Sequence, residues 1–285
     1  MPGSDGAGTV VTVGDKVTRF KVGDRVCTTL LQAHIAGPVT EAIGQTSLGG
    51  SLDGTLRWYG AFDEAGLVSM PAGLNFREAC TLPCAAVTAW NCLYGLSGRA
   101  LKPGDTVLTL GSGGVSLFAI QIAVAAGASV IATTSSEEKA SKLKALGVAH
   151  TINYEEDLSW GKTARSLSPG GEGVDFVVEV GGATTLSQSM SAVRPDGIIT
   201  IAGSIGSEIN AKGDPGLLSA WATKSIVRGI AVGSRTLFED LNRAVEVKGI
   251  RPILDDKIFK LEDLKEAYRY QWEQKNFGKV VVECQ

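Results

Sequence analysis

Histidine is almost missing from this chain: His34 and His150 are the two in 285 residues, far apart and without ligand-spaced cysteines beside them. No histidine-based metal site can be drawn from them, because a zinc centre needs several nitrogen, sulfur or oxygen ligands close together. Paired cysteines are wanting as well. Cys27, Cys80, Cys84, Cys92 and Cys284 are five, an odd number scattered through apolar contexts, and a chain of this length does not depend on disulfide staples, so they read as free buried thiols. Neither sign of charge dominates: 27 basic against 30 acidic side chains leave a net charge of −3, interspersed along the chain. That balance gives no electrostatic footprint for nucleic acid or for an anionic membrane surface, and neither is expected as a partner. Apolar stretches are broken by glycine, serine and charged residues well short of a bilayer span, and Met1-Pro2-Gly3-Ser4-Asp5 lacks the basic-then-apolar texture of a leader. The cytosol is the expected compartment.

What is present points to an ordinary globular protein. With 44% hydrophobic and 20% charged residues the chain can bury one large core or two modest ones. Up to about residue 77 it carries short β-branched runs such as Thr9-Val10-Val11-Thr12-Val13 and Arg25-Val26-Cys27-Thr28-Thr29, separated by the turn signals Gly14-Asp15 and Gly23-Asp24. From Asp105 to Gly233 the texture changes: apolar runs alternate with helix-period segments, the pattern of a parallel sheet built from βαβ units. The runs predicted as strands are 106–110, 130–133, 151–153, 174–180, 198–201 and 226–232. Ser136 is placed to cap a helix that carries Glu137 and Glu138 in its first turn and stops before Gly147. Amphipathic helices are predicted over 236–248 and about 262–274, and a closing strand over 279–283 that returns to the β-rich first part.

The chemistry-bearing element is Leu110-Gly111-Ser112-Gly113-Gly114-Val115-Ser116, between a buried strand and a helix. The first glycine permits a tight turn, the second lets backbone approach a pyrophosphate, and the helix N-terminus offers N–H groups to phosphate oxygens. Ser116 stands where a third glycine is usual, and an ordinary tight βα turn is the bland alternative. About twenty residues on, a carboxylate for the ribose hydroxyls is expected in an NAD site. Instead Thr133-Thr134-Ser135-Ser136 fills that place with Lys139 one turn into the helix, a set of hydroxyls and an ammonium suited to a 2′-phosphate. NADP(H) is therefore preferred over NAD(H), against the alternative that Lys139 is a solvated helix lysine.

Several further runs, in one order along nearly the whole chain, resemble the quinone-oxidoreductase-like, zinc-independent branch of the medium-chain dehydrogenases/reductases. They are Gly23-Asp24-Arg25-Val26, Leu82-Pro83-Cys84-Ala85-Ala86-Val87-Thr88-Ala89-Trp90, Lys102-Pro103-Gly104-Asp105-Thr106-Val107, the glycine-rich turn, Ala145-Leu146-Gly147-Val148-Ala149, Ile152-Asn153-Tyr154, Gly173-Val174-Asp175, Arg194-Pro195-Asp196-Gly197 and Phe277-Gly278-Lys279-Val280-Val281. The resemblance implies an α/β fold: a Rossmann doubly wound parallel sheet over 78–253, plus a GroES-like β-rich catalytic domain made of 1–77 completed by 254–285. It implies a nicotinamide held between the two, with Thr88 beside it as the orienting residue and Ala202-Gly203-Ser204 and Val232-Gly233-Ser234 lining that end. Ser135, Lys139 and Tyr154 match positions that contact the adenosine phosphate, and Gly181 and Phe277-Gly278-Lys279 join the cofactor-binding set. For each of these a packing role is the alternative.

Departures from the family matter as much. Zinc-dependent members carry Gly-His-Glu where this chain has Gly3-Ser4-Asp5-Gly6, and the cysteines of a structural zinc lobe are absent, so no zinc is expected. Family members ordinarily carry further residues before this element, so the GroES-like domain is expected to be incomplete. Without a Lewis acid, an acceptor whose π system already spreads charge, a quinone or an enone, is the easier target for hydride. The expected function is NADPH-dependent reduction of such a small substrate, with no proton donor assignable. Two alternatives stand beside it: a zinc-free NAD(P)-dependent alcohol dehydrogenase, and an NADP-binding protein without turnover. A homodimer is expected, because the apolar run 226–232 forms a sheet edge that family members pair across a twofold axis.

Overall fold

The computed structural model describes residues 1–205, 215–216 and 218–284. Among these, the strands in chain order are β1 (Ala7–Thr9), β2 (Arg25–Thr28), β3 (Leu67–Ser69), β4 (Thr106–Leu110), β5 (Ser129–Thr134), β6 (His150–Asn153), β7 (Val174–Glu179), β8 (Val193–Ile201), β9 (Ile226–Gly229), β10 (Leu254–Lys260) and β11 (Lys279–Glu283). The chain divides into two compact units, Met1–Trp90 with Val232–Gln285, and Asn91–Ala231.

The second unit is built on a six-stranded parallel sheet in the order β6-β5-β4-β7-β8-β9, the doubly wound arrangement read from the sequence. All five residues of β4 are buried, as a central strand covered on both faces requires. Leu108, Ile131, Val177 and Ile199 from four neighbouring strands form its core with Trp160, Ala164, Met190 and Ala192 from the covering helices. Full burial of each such aliphatic side chain contributes about 1.5–3 kcal/mol, which is where the sheet's stability resides. At the N-terminal edge the Asp175 carboxylate accepts the Thr106 backbone N–H at 2.7 Å and the Arg194 Nε–H at 2.6 Å. Asp196 accepts both guanidinium arms of Arg99, at 2.7 and 2.8 Å. The Gly-Val-Asp and Arg-Pro-Asp-Gly runs therefore fasten the edge opposite the glycine-rich turn.

In the first unit β1, β2 and β3 form an antiparallel sheet, and β10 pairs with β11 in parallel. Helix Arg235–Lys248 starts at Ser234, whose hydroxyl accepts the Leu237 N–H, and ends at left-handed Gly249, φ 64°. It buries Phe238, Leu241 and Val245.

Three strand expectations need correction. The run 9–13 contributes only its first residue to β1, because Val11 and Val13 lie exposed and have no face to bury. The run 226–232 is a strand only to Gly229, and Val232 has φ 51°, a conformation no strand accommodates. The closing strand returns to the first unit but pairs with β10, a strand the sequence hid because Asp255, Asp256 and Lys257 interrupt its apolar pattern. Asp255 is buried there as an acceptor for the Tyr270 hydroxyl and the Phe277 and Lys257 N–H groups.

Candidate cofactor site

In an open parallel sheet the crevice lies outside the C-terminal strand ends where the winding reverses. Here that point falls between β4 and β7. The glycine-rich turn leaves β4 at this place. Gly111 has φ 71°, the left-handed region that only glycine occupies cheaply, and its N–H donates to both the carbonyl and the hydroxyl of Thr133, at 3.0 and 3.2 Å. Gly113 is different: its φ is −77°, and a methyl group built on it meets nothing within 4 Å among the described residues. Their atoms do not demand a glycine there, so the open space over its Cα is a cradle that a side chain would fill. Helix Gly114–Ala125 begins directly behind with Gly113 as its N-cap, which offers no side-chain oxygen to the first-turn amides. Ser112 and Val115 stand in the same turn. Ser116 explains its departure from glycine, since its buried hydroxyl donates to the Leu110 carbonyl at 2.6 Å and ties the helix to the strand end.

On one side of this turn lie the ends of β5 and β6. Thr134 is buried with its hydroxyl unpartnered and shut away from solvent, whereas Ser135 and Lys139 are half-buried and Tyr154 is exposed. The Ser136 hydroxyl caps helix Glu137–Ala145 by accepting the Lys139 N–H at 3.3 Å, as the sequence pattern anticipates. Capping is thus a sufficient reason for a serine at 136. Tyr154 follows β6, so it and Ser135 sit at adjacent strand ends of one sheet edge.

On the other side is a feature that sequence reasoning missed. Glu179, last residue of β7, is fully buried, and its Oε1 accepts the Gly181 N–H at 2.7 Å, the Gly182 N–H at 3.0 Å and the Thr185 hydroxyl at 2.6 Å. Its Oε2 accepts the Ser189 hydroxyl at 2.5 Å. A Cβ on Gly181 would lie 2.4 Å from Thr185 Oγ1, so the glycine is required by packing inside the turn. Ala202 donates its N–H to the Glu179 carbonyl at 2.8 Å, which brings Ala202-Gly203-Ser204 alongside. The only sequence signal was a carboxylate near the end of an apolar strand, two residues before the pair Gly181-Gly182.

The remaining candidates lie in the first unit. Thr88 is buried in helix Val87–Tyr94 and hydrogen-bonds the Cys84 thiol. Gly233 packs on the same place: a Cβ would come within 2.7 Å of Val87 Cγ1. Val232 holds the strained φ noted above, and the Ser234 hydroxyl is engaged as a helix cap. Gly278 has φ 94° and closes on the Ile253 carbonyl, which accepts the Lys279 N–H at 2.9 Å. These contacts account for the Phe277-Gly278-Lys279 turn by the fold alone, while the Lys279 ammonium reaches to 3.7 Å from the Asp5 carboxylate. Burial pushes the Cys84 thiol up to about 11 and Cys80 up to about 12, with Asp5 acting in the same direction, so both stay protonated at neutral pH.

Residues 1–72 match the family model of the alcohol dehydrogenase GroES-like domain, and residues 114–247 match that of the zinc-binding dehydrogenases. The chain is 43% identical, over 99% of its length and 81% of the relative's, to a zinc-type alcohol dehydrogenase-like protein of Schizosaccharomyces pombe. Among solved structures it is similar to an NAD-dependent alcohol dehydrogenase, at 33% identity and TM-score 0.85 over 99% of this chain and 82% of that one. It is also similar to the 2-octenoyl-CoA carboxylase reductase CinF solved with NADP and 2-octenoyl-CoA, at 29% identity and TM-score 0.84 over 99% of this chain and 68% of that one. The zinc in the second family description finds no fitting donor set here: among the described residues no group of three or more His, Cys, Asp or Glu is placed to hold a metal ion. No helix among them is long and apolar enough to cross a membrane. Sheet order, glycine-rich turn, matched domains and relatives agree that the chain belongs to the medium-chain dehydrogenase/reductase superfamily of NAD(P)-dependent oxidoreductases.

Proposed function

We propose that this protein is a zinc-independent, NADPH-dependent oxidoreductase that reduces a small activated substrate such as a quinone, an enone or another conjugated C=C/C=O compound. The observation that carries the cofactor choice is the end of β5, where Thr134, Ser135 and Ser136 precede Lys139 and no carboxylate stands among 133–136. Backbone N–H groups of Ser112, Gly113, Gly114 and Val115 would hold the pyrophosphate over the space left by Gly113, with Gly111, its own N–H engaged by Thr133, setting the turn that presents them. Ser135, Lys139 and Tyr154 would hold the 2′-phosphate, with Thr134 and Ser136 shaping that edge. Gly181, Ala202, Gly203 and Ser204 would flank the middle of the cofactor, and Thr88, Val232, Gly233, Ser234, Phe277, Gly278 and Lys279 its nicotinamide end. Bound NADPH supplies the hydride. The protein's own work is to orient the acceptor and exclude water, and a conjugated acceptor is the one that needs least polarisation from side chains.

This reading assigns 78–253 to cofactor binding and 1–77 with 254–285 to the catalytic domain, and places the protein in the cytosol as a homodimer. The likeness to CinF, whose structure holds NADP and an enoyl-CoA, supports NADPH and a conjugated acceptor. The likeness to an NAD-dependent alcohol dehydrogenase, at a higher identity, favours the second reading of a zinc-free alcohol dehydrogenase. Turnover assays with NADPH and NADH against quinones, enones, aldehydes and alcohols decide between them. Oxidation of NADPH by quinones or enones is expected. Alcohol oxidation with NAD as the sole activity would establish the second reading, and cofactor binding without turnover on any acceptor would mark a non-catalytic protein.

A further inference from the structure

Glu179 is a site residue that sequence reasoning missed, and among the described residues its hydrogen-bond partners are all neutral: two glycine N–H groups and two hydroxyls converge on a fully buried carboxylate. A buried carboxylate without an opposing charge is costly unless hydrogen bonds satisfy it. Here three donors crowd one oxygen, an acceptor load that a carboxylate bears better than any neutral side chain.

The register places this carboxylate in the crevice wall. Thr109 of β4 pairs with Val178 of β7, so Glu179 follows one step beyond, level with Leu110 and the start of the glycine-rich turn. Its backbone carbonyl takes the Ala202 N–H at 2.8 Å, and the next carbonyl, of Val180, takes the Ile205 N–H at 3.0 Å. Glu179 thereby fixes its own loop through its side chain and, through its backbone with that of Val180, holds residues 202–205 after β8. Both loops stand on the β7 side of the reversal point, away from the β5 and β6 ends. The inward-turned N–H groups of Gly181 and Gly182 are directed at Glu179, so phosphate binding by amides falls to the turn after β4.

We propose that Glu179 is a positioning residue for the cofactor: it presets the loop after β7, and with it residues 202–205 after β8, to flank the central part of bound NADPH, and it does not shape the adenosine-phosphate subsite. This rests on the function proposed above. Its removal should therefore weaken the whole cofactor while sparing the adenosine fragment, a split that general loss of stability does not produce.

The test measures, by titration, the affinity of wild type, Glu179→Ala, Glu179→Gln and Thr185→Val for NADPH and for adenosine 2′,5′-bisphosphate, with circular dichroism confirming folding. Glu179→Ala is expected to weaken NADPH roughly tenfold or more and the bisphosphate by less than about twofold. Glu179→Gln should recover most of the loss, because its amide oxygen can take the three donors while its NH2 group faces a Ser189 hydroxyl able to turn and accept. If Glu179→Ala does not fold, Thr185→Val, which keeps the shape and removes one donor, is expected to show the same selective loss at smaller size. Equal weakening of both ligands, or unchanged NADPH affinity in a folded variant, overturns the positioning role. A folded wild type that binds neither NADPH nor NADH overturns the proposed function itself, and the positioning role with it.

Discussion

The backbone N–H of Tyr154 donates to the carbonyl of Thr134 at 3.1 Å, joining the residue after β6 to the last residue of β5. This bond fixes the Tyr154 backbone at the strand end from which Ser135 and the helix that carries Lys139 follow. Lys139→Ala should then weaken NADPH binding by roughly tenfold to a few hundredfold and leave NADH nearly unchanged, since a charge-assisted contact to an exposed phosphate is worth on the order of 1.5–3 kcal/mol before screening. Titration of both cofactors at low and high salt measures it. Equal losses for the two cofactors would reduce Lys139 to a solvated helix residue.

A second prediction concerns pH. Burial raises the Cys92 thiol to about 12 and the Cys84 thiol to about 11, whereas an unfolded thiol ionises near 9. Below about pH 9 both states keep these protons and the thiols contribute no pH dependence. Above it the unfolded chain loses them first, so stability falls as pH climbs from about 9 toward 11 or 12. Denaturant melts across this range should show a shallower decline for Cys92→Ser than for wild type. Parallel slopes would show that these thiols ionise alike in both states.

The sheet was legible because its central strands, β4 above all, are buried on both faces and therefore read as apolar runs, and because Gly111 and Gly147 mark turns that only positive φ allows. What stayed hidden depended on side-chain contacts that no local hydrophobic pattern reports. β10 is a strand because Asp255 finds Tyr270 and Phe277, and Glu179 is a buried acceptor because Thr185 and Ser189 return beneath it. Ser136 and Ser234 show the opposite difficulty: a hydroxyl expected near a cofactor also serves as a helix cap, and spacing cannot separate the two roles.

Association should involve the β9 edge. Ile226 and Val227 are half-buried on the last strand of the sheet, and on the preceding helix Leu218–Thr223 both Leu218 and Trp221 are 80% exposed. An apolar edge beside an exposed tryptophan is the kind of surface that the proposed homodimer would cover. Sedimentation at micromolar protein is expected to show a dimer for wild type and a monomer for Trp221→Glu, with the same circular dichroism. A wild-type monomer independent of concentration would remove the edge from consideration.

The two glycines of the turn give the sharpest contrast. Gly111 needs its φ of 71°, so Gly111→Ala should destabilise the protein by about 1 kcal/mol or more, as any L-residue forced into that region does. Gly113 needs neither a positive φ nor space within the chain, since among the described residues a Cβ there has no atom within 4 Å. Gly113→Ala should therefore cost only what separates glycine from alanine as an N-cap, about 0.5–1 kcal/mol. Its effect should fall on binding instead: the methyl group would occupy the space over which the pyrophosphate approaches backbone, and NADPH affinity should drop roughly tenfold or more. Melting temperature and cofactor titration on the same two variants separate fold from function. If Gly113→Ala melts like wild type and binds NADPH like wild type, the open space over Gly113 is not where the cofactor lies. If it loses stability as Gly111→Ala does, the glycine serves the turn and the cradle reading fails.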